Sequence, residues 1–233
     1  MLETQFLRIE SLVGKDKIDS LSDKIIAIFG LGGVGGHIVD ALIRSGIKKV
    51  ILIDHDVISL TNINRQLIAN FATLGRKKVE VMKEHLLKIN PSLEIITYDI
   101  FYDENSDLDL TNVSYVIDAI DSIKSKIHLI DYCYKHHIPI ISSMGAGNKL
   151  DPTQIEISDI YKTSYCPLAK KMRYELKKIG IKHLKVAYSK EINNRKEILY
   201  DENHKVVPSS SIFVTAAMGL VIASYVFKDL IKE

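Results

Sequence analysis

Apolar residues in this chain fall into short unbroken runs, separated by stretches in which they recur every three or four positions. Between Lys24 and Gly30 the run Ile-Ile-Ala-Ile-Phe is apolar on both sides and largely β-branched, which predicts a buried strand. Helical spacing follows, with Val34, Ile38, Leu42 and Ile43 on one side, and Lys49–Asp54 is a second buried strand. A strand, a helix and a strand over so short a span make a right-handed βαβ unit with parallel strands. Gly75–Asn90 is predicted as a helix, with Val79, Met82, Leu86 and Ile89 in register and Pro91 closing it. Glu94–Tyr98, Val113–Asp118 and Ile138–Ser142 are further strands, and a helix fills Ser122–His137. Up to about residue 148 this is a doubly wound, Rossmann-like α/β pattern with a mostly parallel sheet.

Beyond Gly145-Ala-Gly147 the pattern changes to a C-terminal extension of strands and helices with a basic crossover segment. Gln154–Ser158 alternates as an exposed strand does, and Leu184–Ser189 reads as another strand. Pro167–Ile179 is an amphipathic helix, with Pro in its first turn and Gly180 past its end. Glu191–Lys205 is polar and reads as loop. In the final predicted helix, Ser211–Ile231, the run Ile212–Phe227 is uncharged and mostly apolar. Its sixteen residues fall short of the ~20 that cross a bilayer. Its small residues, Ala216, Ala217, Gly219 and Ala223, suit close packing in a protein interior. The reading is a buried core or interface helix, with membrane association the lesser alternative.

Composition narrows the class. Of 233 residues, 46% are hydrophobic and 26% charged, as in ordinary globular proteins, so disordered and fibrous classes are excluded. Cys133 and Cys166 are too few for a disulfide scaffold or a four-cysteine zinc site. Residues 1–10 lack a signal-peptide apolar core, so the expected compartment is the reducing cytoplasm. The net charge of +2 hides a segregation. Between Lys162 and Lys196, 11 basic residues stand against 2 acids, a local +9, while the remaining 20 basic and 27 acidic residues leave −7. One surface is therefore suited to a polyanion, although a solvated lysine face accounts for the charge alone equally well.

The candidate chemistry begins at Gly30-Leu-Gly-Gly-Val-Gly-Gly36, between the first strand and the first helix. Gly30, Gly32 and Gly35 have the G-x-G-x-x-G spacing, which lets backbone N–H groups and a helix N-terminus approach a phosphate. Gly33 lies within the same loop. Asp54, 19 residues past Gly35 at the end of the second strand, is placed to accept both ribose hydroxyls. NAD and ATP fit equally well at this point. Asn62, Arg65 and Lys78 beside that strand tip the balance, because attack on an ATP α-phosphate builds negative charge that needs cations. Asp121, just past a strand's carboxyl end, is placed to hold Mg2+. Asp118 is the alternative ligand, and either aspartate could instead cap the helix that begins near Ser122. His55 is the nearest candidate base, though a structural role suits it better.

Taken in order, G-x-G-G-V-G, L-I-D-x-D, T-N-x-N-R-Q, the G-x-x-K ending at Lys78, and D-A-I-D-S resemble the adenylating enzymes related to ubiquitin-activating enzyme, ThiF, MoeB and HesA. The resemblance runs from about Phe6 to the end. It implies one adenylation domain over 1–233, with a nucleotide-binding part over about 1–148 and a substrate-facing extension over about 149–233. It further implies that Asp54 and Asp56 help bind the nucleotide, that Asn62, Arg65 and Lys78 contact its phosphates, and that Asp121 holds Mg2+. Arg8 resembles the arginine that reaches into the partner subunit's ATP site, which implies a homodimer. A sulfurtransferase-type protein partner is also compatible with the family.

Gly145–Gln154, Ile160-Tyr-Lys-Thr163 and Cys166–Arg173 resemble the tRNA threonylcarbamoyladenosine dehydratase branch of that family. This branch uses ATP to cyclise a modified adenosine in the tRNA anticodon loop. The absence of the paired C-x-x-C zinc motifs of MoeB and ThiF agrees with it. Lys162, Lys170, Lys171, Arg173, Lys177 and Lys178 would then contact tRNA phosphates. The alternative is adenylation of the C-terminal glycine of a ubiquitin-like sulfur-carrier protein. One departure is Pro208-Ser-Ser, where the branch leads one to expect a glycine after the proline.

Overall fold

The computed structural model describes residues 4–192, 196–200, 204 and 206–232. Arg195 of the basic segment and Lys205 lie outside the described residues. Strands β1 (Ile25–Phe29), β2 (Lys49–Ile53), β3 (Glu94–Tyr98), β4 (Tyr115–Asp118), β5 (Ile140–Ser143), β6 (Ile155–Asp159) and β7 (Lys185–Ser189) form one sheet in the order β3-β2-β1-β4-β5-β7-β6. All neighbours are parallel except β6 with β7. The chain winds outward from β1 to β3, then crosses back to β4 on the other side of β1. That reversal opens a crevice between the carboxyl ends of β1 and β4, where ligands bind in such sheets.

Both faces of the sheet are covered, which is why its central strands read as continuous apolar runs. Ile26 and Ile28 of β1 point into a core with the helices α3 (Gly35–Arg44), α4 (Lys78–Ile89) and α7 (Ile212–Leu230). Ala27 and Phe29 point the other way, toward α5 (Ile123–Lys135). Farther along that face, α6 (Pro167–Lys178) buries Ala169, Met172 and Leu176 beside Val186 and Tyr188 of β7. Each such fully buried large side chain contributes roughly 1.5–3 kcal/mol by leaving water.

Three differences from the sequence reading have physical causes, and the last helix is buried as expected. Two short helices, α1 (Leu7–Val13) and α2 (Lys15–Asp19), precede β1; their apolar periodicity is too brief to register. Helix α4 begins at Lys78 rather than Gly75. Residues 75–77 instead bridge to the segment after β2, with Gly75 N donating to Ile58 O, Ile58 N to Arg76 O, and Lys78 N to Asp56 O. Within Glu191–Lys205, read as loop, Leu199–Tyr200 starts a two-stranded ribbon with Val206–Val207 (β8 and β9). The last helix is 19 residues long, enough in length and composition to span a membrane. Yet Val214, Met218, Ile222 and Val226 are fully buried against the protein's own core.

Helix α7 also approaches the glycine loop very closely. A side chain at Gly219 would place its Cβ 2.7 Å from the Val34 carbonyl oxygen and 2.9 Å from His37 Cβ. One turn away, Thr215 Cβ lies 3.2 Å from the position a Cβ on Gly33 would take. The final helix therefore braces the loop that opens α3.

Candidate active site

A cleft of about 290 Å³ lies at the crossover point, bounded by the glycine loop, the ends of β1 and β2, the 62–66 loop, the start of α4 and residues 119–121. The glycine loop is shaped by steric need. Gly30 has φ +89°, and a Cβ there would sit 2.6 Å from Ala119 O. At Gly35 a Cβ would sit 1.8 Å from Gly30 O, so only glycine closes this turn. Gly32 meets nothing nearer than Gln66 Nε2 at 3.8 Å, which leaves its open side free for a ligand to approach. Gly33 is hemmed in by Arg65 and Thr215.

Asp54 is buried, and its carboxylate already holds backbone: Oδ2 accepts from Leu31 N at 2.6 Å and Oδ1 from Asp56 N at 2.8 Å. The same acid thus fixes the glycine loop and lines the cleft. Lys78 is 4% exposed, with Nζ 2.6 Å from Asp56 Oδ2 and 4.0 Å from Asp54 Oδ1. Asp54, His55 and Asp56 bring ligand atoms within 4.8 Å of one another, and the Lys78 ammonium offsets one of the two carboxylate charges. Asn62 Oδ1 accepts from Ser59 N. Arg65 is oriented by Thr61 O at 2.8 Å and Asn64 Oδ1 at 2.9 Å, and burial draws its guanidinium pKa below the ordinary value.

Asp121 lines the cleft, is exposed, and makes no hydrogen bond or ion pair among the described residues. Asp118 is fully buried and ion-paired to Lys126, so it is turned away from any ligand. Neither aspartate caps α5; Ser122 does, accepting from Ser125 N. His55 is half exposed, edge-on to Phe101 and 3.2 Å from Asp56.

Three features of the cleft escape sequence reasoning. Ile100, Phe101, Tyr102 and Ile120 give it an apolar flank, but they come from loops without periodicity. Thr215 enters from α7, far away in sequence. Gln66 is buried, and its Oε1 is the one buried side-chain polar atom without a partner among the described residues. Its place at the end of T-N-x-N-R-Q is the signal that could have found it. Buried polar atoms normally have partners, so Gln66 Oε1 is an acceptor that the protein's own described residues leave free.

The cationic segment lies elsewhere. Lys162, Lys170, Lys171, Lys177 and Lys178 are exposed. Arg173 differs from them: its guanidinium donates to Thr163 O at 3.1 Å, to Thr163 Oγ1 and to Ile160 O. It pins the turn before α6. Cys133 and Cys166 are both buried, and burial, with Asp118 nearby, pushes the Cys133 thiol up to about 12. Arg8 is exposed on α1 and does not line this chain's cleft.

The family model described as ThiF family matches residues 5–233. The chain belongs to the ThiF family. This ThiF-family chain is 42% identical over 242 aligned positions to the tRNA threonylcarbamoyladenosine dehydratase of Bacillus subtilis, covering 98% of this chain and 95% of that protein. The Escherichia coli protein of the same name is 42% identical over 168 positions, 71% of this chain and 63% of that protein. Among solved structures, E. coli tRNA N6-threonylcarbamoyladenosine dehydratase, TcdA, in complex with ATP superposes with a TM-score of 0.86 at 33% identity, over 97% of this chain and 93% of that one. The molybdopterin-synthase adenylyltransferase of Salmonella typhimurium is 31% identical over only 57% of the chain.

Proposed function

We propose that this ThiF-family chain is an ATP-dependent tRNA threonylcarbamoyladenosine dehydratase, cyclising N6-threonylcarbamoyladenosine through an acyl-adenylate. The observation that carries the reading is the near full-length match to the ATP-bound E. coli enzyme, combined with a cleft that groups Asp54, Asn62, Arg65, Lys78 and Asp121. The glycine loop presents N–H groups at the N-terminus of α3 to the phosphates, Asp54 accepts from the ribose, and the apolar flank receives the adenine. Asp56 holds Lys78 in place.

The threonyl carboxylate attacks the ATP α-phosphorus, and the bond to pyrophosphate breaks. Arg65 and Lys78 offset the charge that develops on the pentavalent phosphorus and the departing pyrophosphate. Asp121, a hard oxygen donor left free at the cleft, fits Mg2+, which when bound screens the phosphate charge. The ureido nitrogen of the same modified base then attacks the activated carbonyl, the bond to AMP breaks, and the nitrogen gives up its proton. Nucleophile and electrophile belong to one substrate, so proximity supplies much of the second step. No thiol is required, in keeping with two buried cysteines.

Phosphates of the tRNA meet Lys162, Lys170, Lys171, Lys177 and Lys178, while the cleft receives the modified base. The functional unit is a cytoplasmic homodimer in which Arg8 of one subunit completes the cleft of the other. Exposed Leu60, Leu67, Phe71 and Phe213, near cleft residues in sequence, would supply apolar surface for that contact. Any sulfurtransferase-type partner would join from outside this dimer. ATP–pyrophosphate exchange, with modified tRNA and a ubiquitin-like carrier protein added in turn, tests the substrate. Exchange promoted by the carrier protein alone overturns the reading. Mixing inactive Arg8→Ala and Lys78→Met proteins tests the dimer: activity returns only if Arg8 acts across subunits.

A further inference from the structure

Beneath the cleft lies a charged pair that the chemistry above does not use. Lys126, in the first turn of α5, is fully buried, and its Nζ donates to Asp118 Oδ2 at 3.0 Å, Ser143 O at 2.8 Å and Ser142 Oγ at 3.3 Å. All three ammonium hydrogens have acceptors. Asp118 is equally buried. Its Oδ2 also accepts from Ser142 Oγ, and its Oδ1 accepts from Ile120 N at 3.1 Å.

Asp118 ends β4, and the three residues that follow carry the chain to Asp121. This short loop is clamped from two sides. Toward the cleft, Ala119 N donates to Phe29 O, and Ala119 O packs where a Cβ on Gly30 would stand. From below, the Asp118 carboxylate grips the Ile120 amide. Asp121 has no side-chain partner among the described residues, so only the backbone of this loop determines where its carboxylate sits. A buried ion pair is weak ground for stability, since two well-packed apolar residues fill such a site without desolvating charge. What apolar residues lack is an acceptor for the Ile120 N–H.

We propose that the Asp118–Lys126 pair is a positioning device that fixes the Ala119–Asp121 loop, and through it the carboxylate that meets the divalent cation of the bound nucleotide. The proposal rests on reading Asp121 as the metal-binding carboxylate. Lys126 and Asp118 are positioning residues and touch no substrate.

The test is binding of Mn2+ with ATP to the full chain, followed by the Mn2+ electron paramagnetic resonance signal, alongside metal-free ATP affinity and thermal melting. Ser142→Ala removes one hydrogen bond to Asp118 and one acceptor of Lys126 but leaves the ion pair intact, and the pair Asp118→Leu/Lys126→Met removes both charges and the acceptor for the Ile120 N–H together. The double variant is expected to weaken Mn2+ binding roughly 10–100-fold, the range for groups that orient metal ligands, while metal-free ATP binds as in the parent. Ser142→Ala is expected to weaken it less, with a small drop in melting temperature from the buried hydrogen bonds it removes. Parental Mn2+ affinity in Ser142→Ala and in the double variant overturns the proposal, and Ser142→Ala decides alone if the double variant does not fold. Asp121→Ala separates the two claims. If it binds Mn2+ with ATP like the parent, the reading of Asp121 fails; if it alone loses Mn2+, only the positioning device fails.

Discussion

The molecule carries two sets of cations held in opposite ways. Around the cleft, Lys78 is 4% exposed and locked to Asp56, and Arg65 is aimed by Thr61 O and Asn64 Oδ1. Along α6 the lysines stand in water, and Lys178 pairs with its neighbour Glu175 on the same helix. The first arrangement suits charge that appears briefly at one atom, because a fixed cation needs no reorganisation as the reaction proceeds. The second suits a long polyanion, where displacing counterions from many sites matters more than the geometry of any one. Burial separates the two roles more cleanly than residue type does.

Lys78→Met puts this division to its hardest test. It is expected to lower the ATP–pyrophosphate exchange rate by about 10²–10³, the scale for removing one preorganised charge-stabilising group. A loss confined to KM for ATP, with the rate intact, would mean that Lys78 serves binding alone. Next comes the joint reversal Lys170→Glu/Lys171→Glu/Lys177→Glu. It is expected to weaken tRNA binding at least ~10-fold and to flatten the salt dependence by roughly 0.7–0.9 for each phosphate no longer neutralised. ATP affinity should stay put. An unchanged salt slope in a binding titration removes α6 from the tRNA interface.

Arg173 tests where the boundary between the two sets falls, since it lies among the exposed lysines but is bonded like a cleft residue. Arg173→Ala is expected to cost about 1.5–3 kcal/mol of stability, as loss of hydrogen bonds to a charged group does. The salt slope of tRNA binding should change little. Denaturant titration and the binding assay together check this, and the opposite pattern would return Arg173 to the phosphate contacts. Thiol labelling should show the least. With both cysteines buried and Cys133 pushed up to about 12, neither should react with an aromatic disulfide reagent at pH 8 until the protein unfolds. Rapid labelling of the native protein would reopen a thiol-dependent acyl transfer.

Legibility in the sequence follows the same division. β1 and β2 are readable almost to the residue, because strands covered on both faces carry an unbroken apolar signal, whereas β3, half exposed at the sheet edge, is marked by its β-branched run after Pro91. The start of α4 is not, since Gly75–Lys77 leave the helix for a bridge to residues 56–58 that no local pattern encodes. Asp54, Asn62, Arg65, Lys78 and Asp121 are recoverable because each lies in a short motif, Asp54 and Asp121 at strand ends and the others in the segment from the turn after β2 to the start of α4. The apolar flank at Phe101 and Tyr102, and Thr215 from α7, come from tertiary packing between distant segments, and nothing in their local sequence announces them. Arg173 reads like its lysine neighbours because charge is visible in a sequence and hydrogen-bond partners are not.

The contact of Gly219 with the Val34 carbonyl also bears on the order of events in the cell. A chain growing from its N-terminus exposes the glycine loop early, whereas the helix that braces it leaves the ribosome much later. Until then the loop lacks one wall, and Thr215 is missing from the cleft. Nascent chains should therefore ignore cellular ATP. ATP binding is expected to appear only once α7 has packed against the glycine loop.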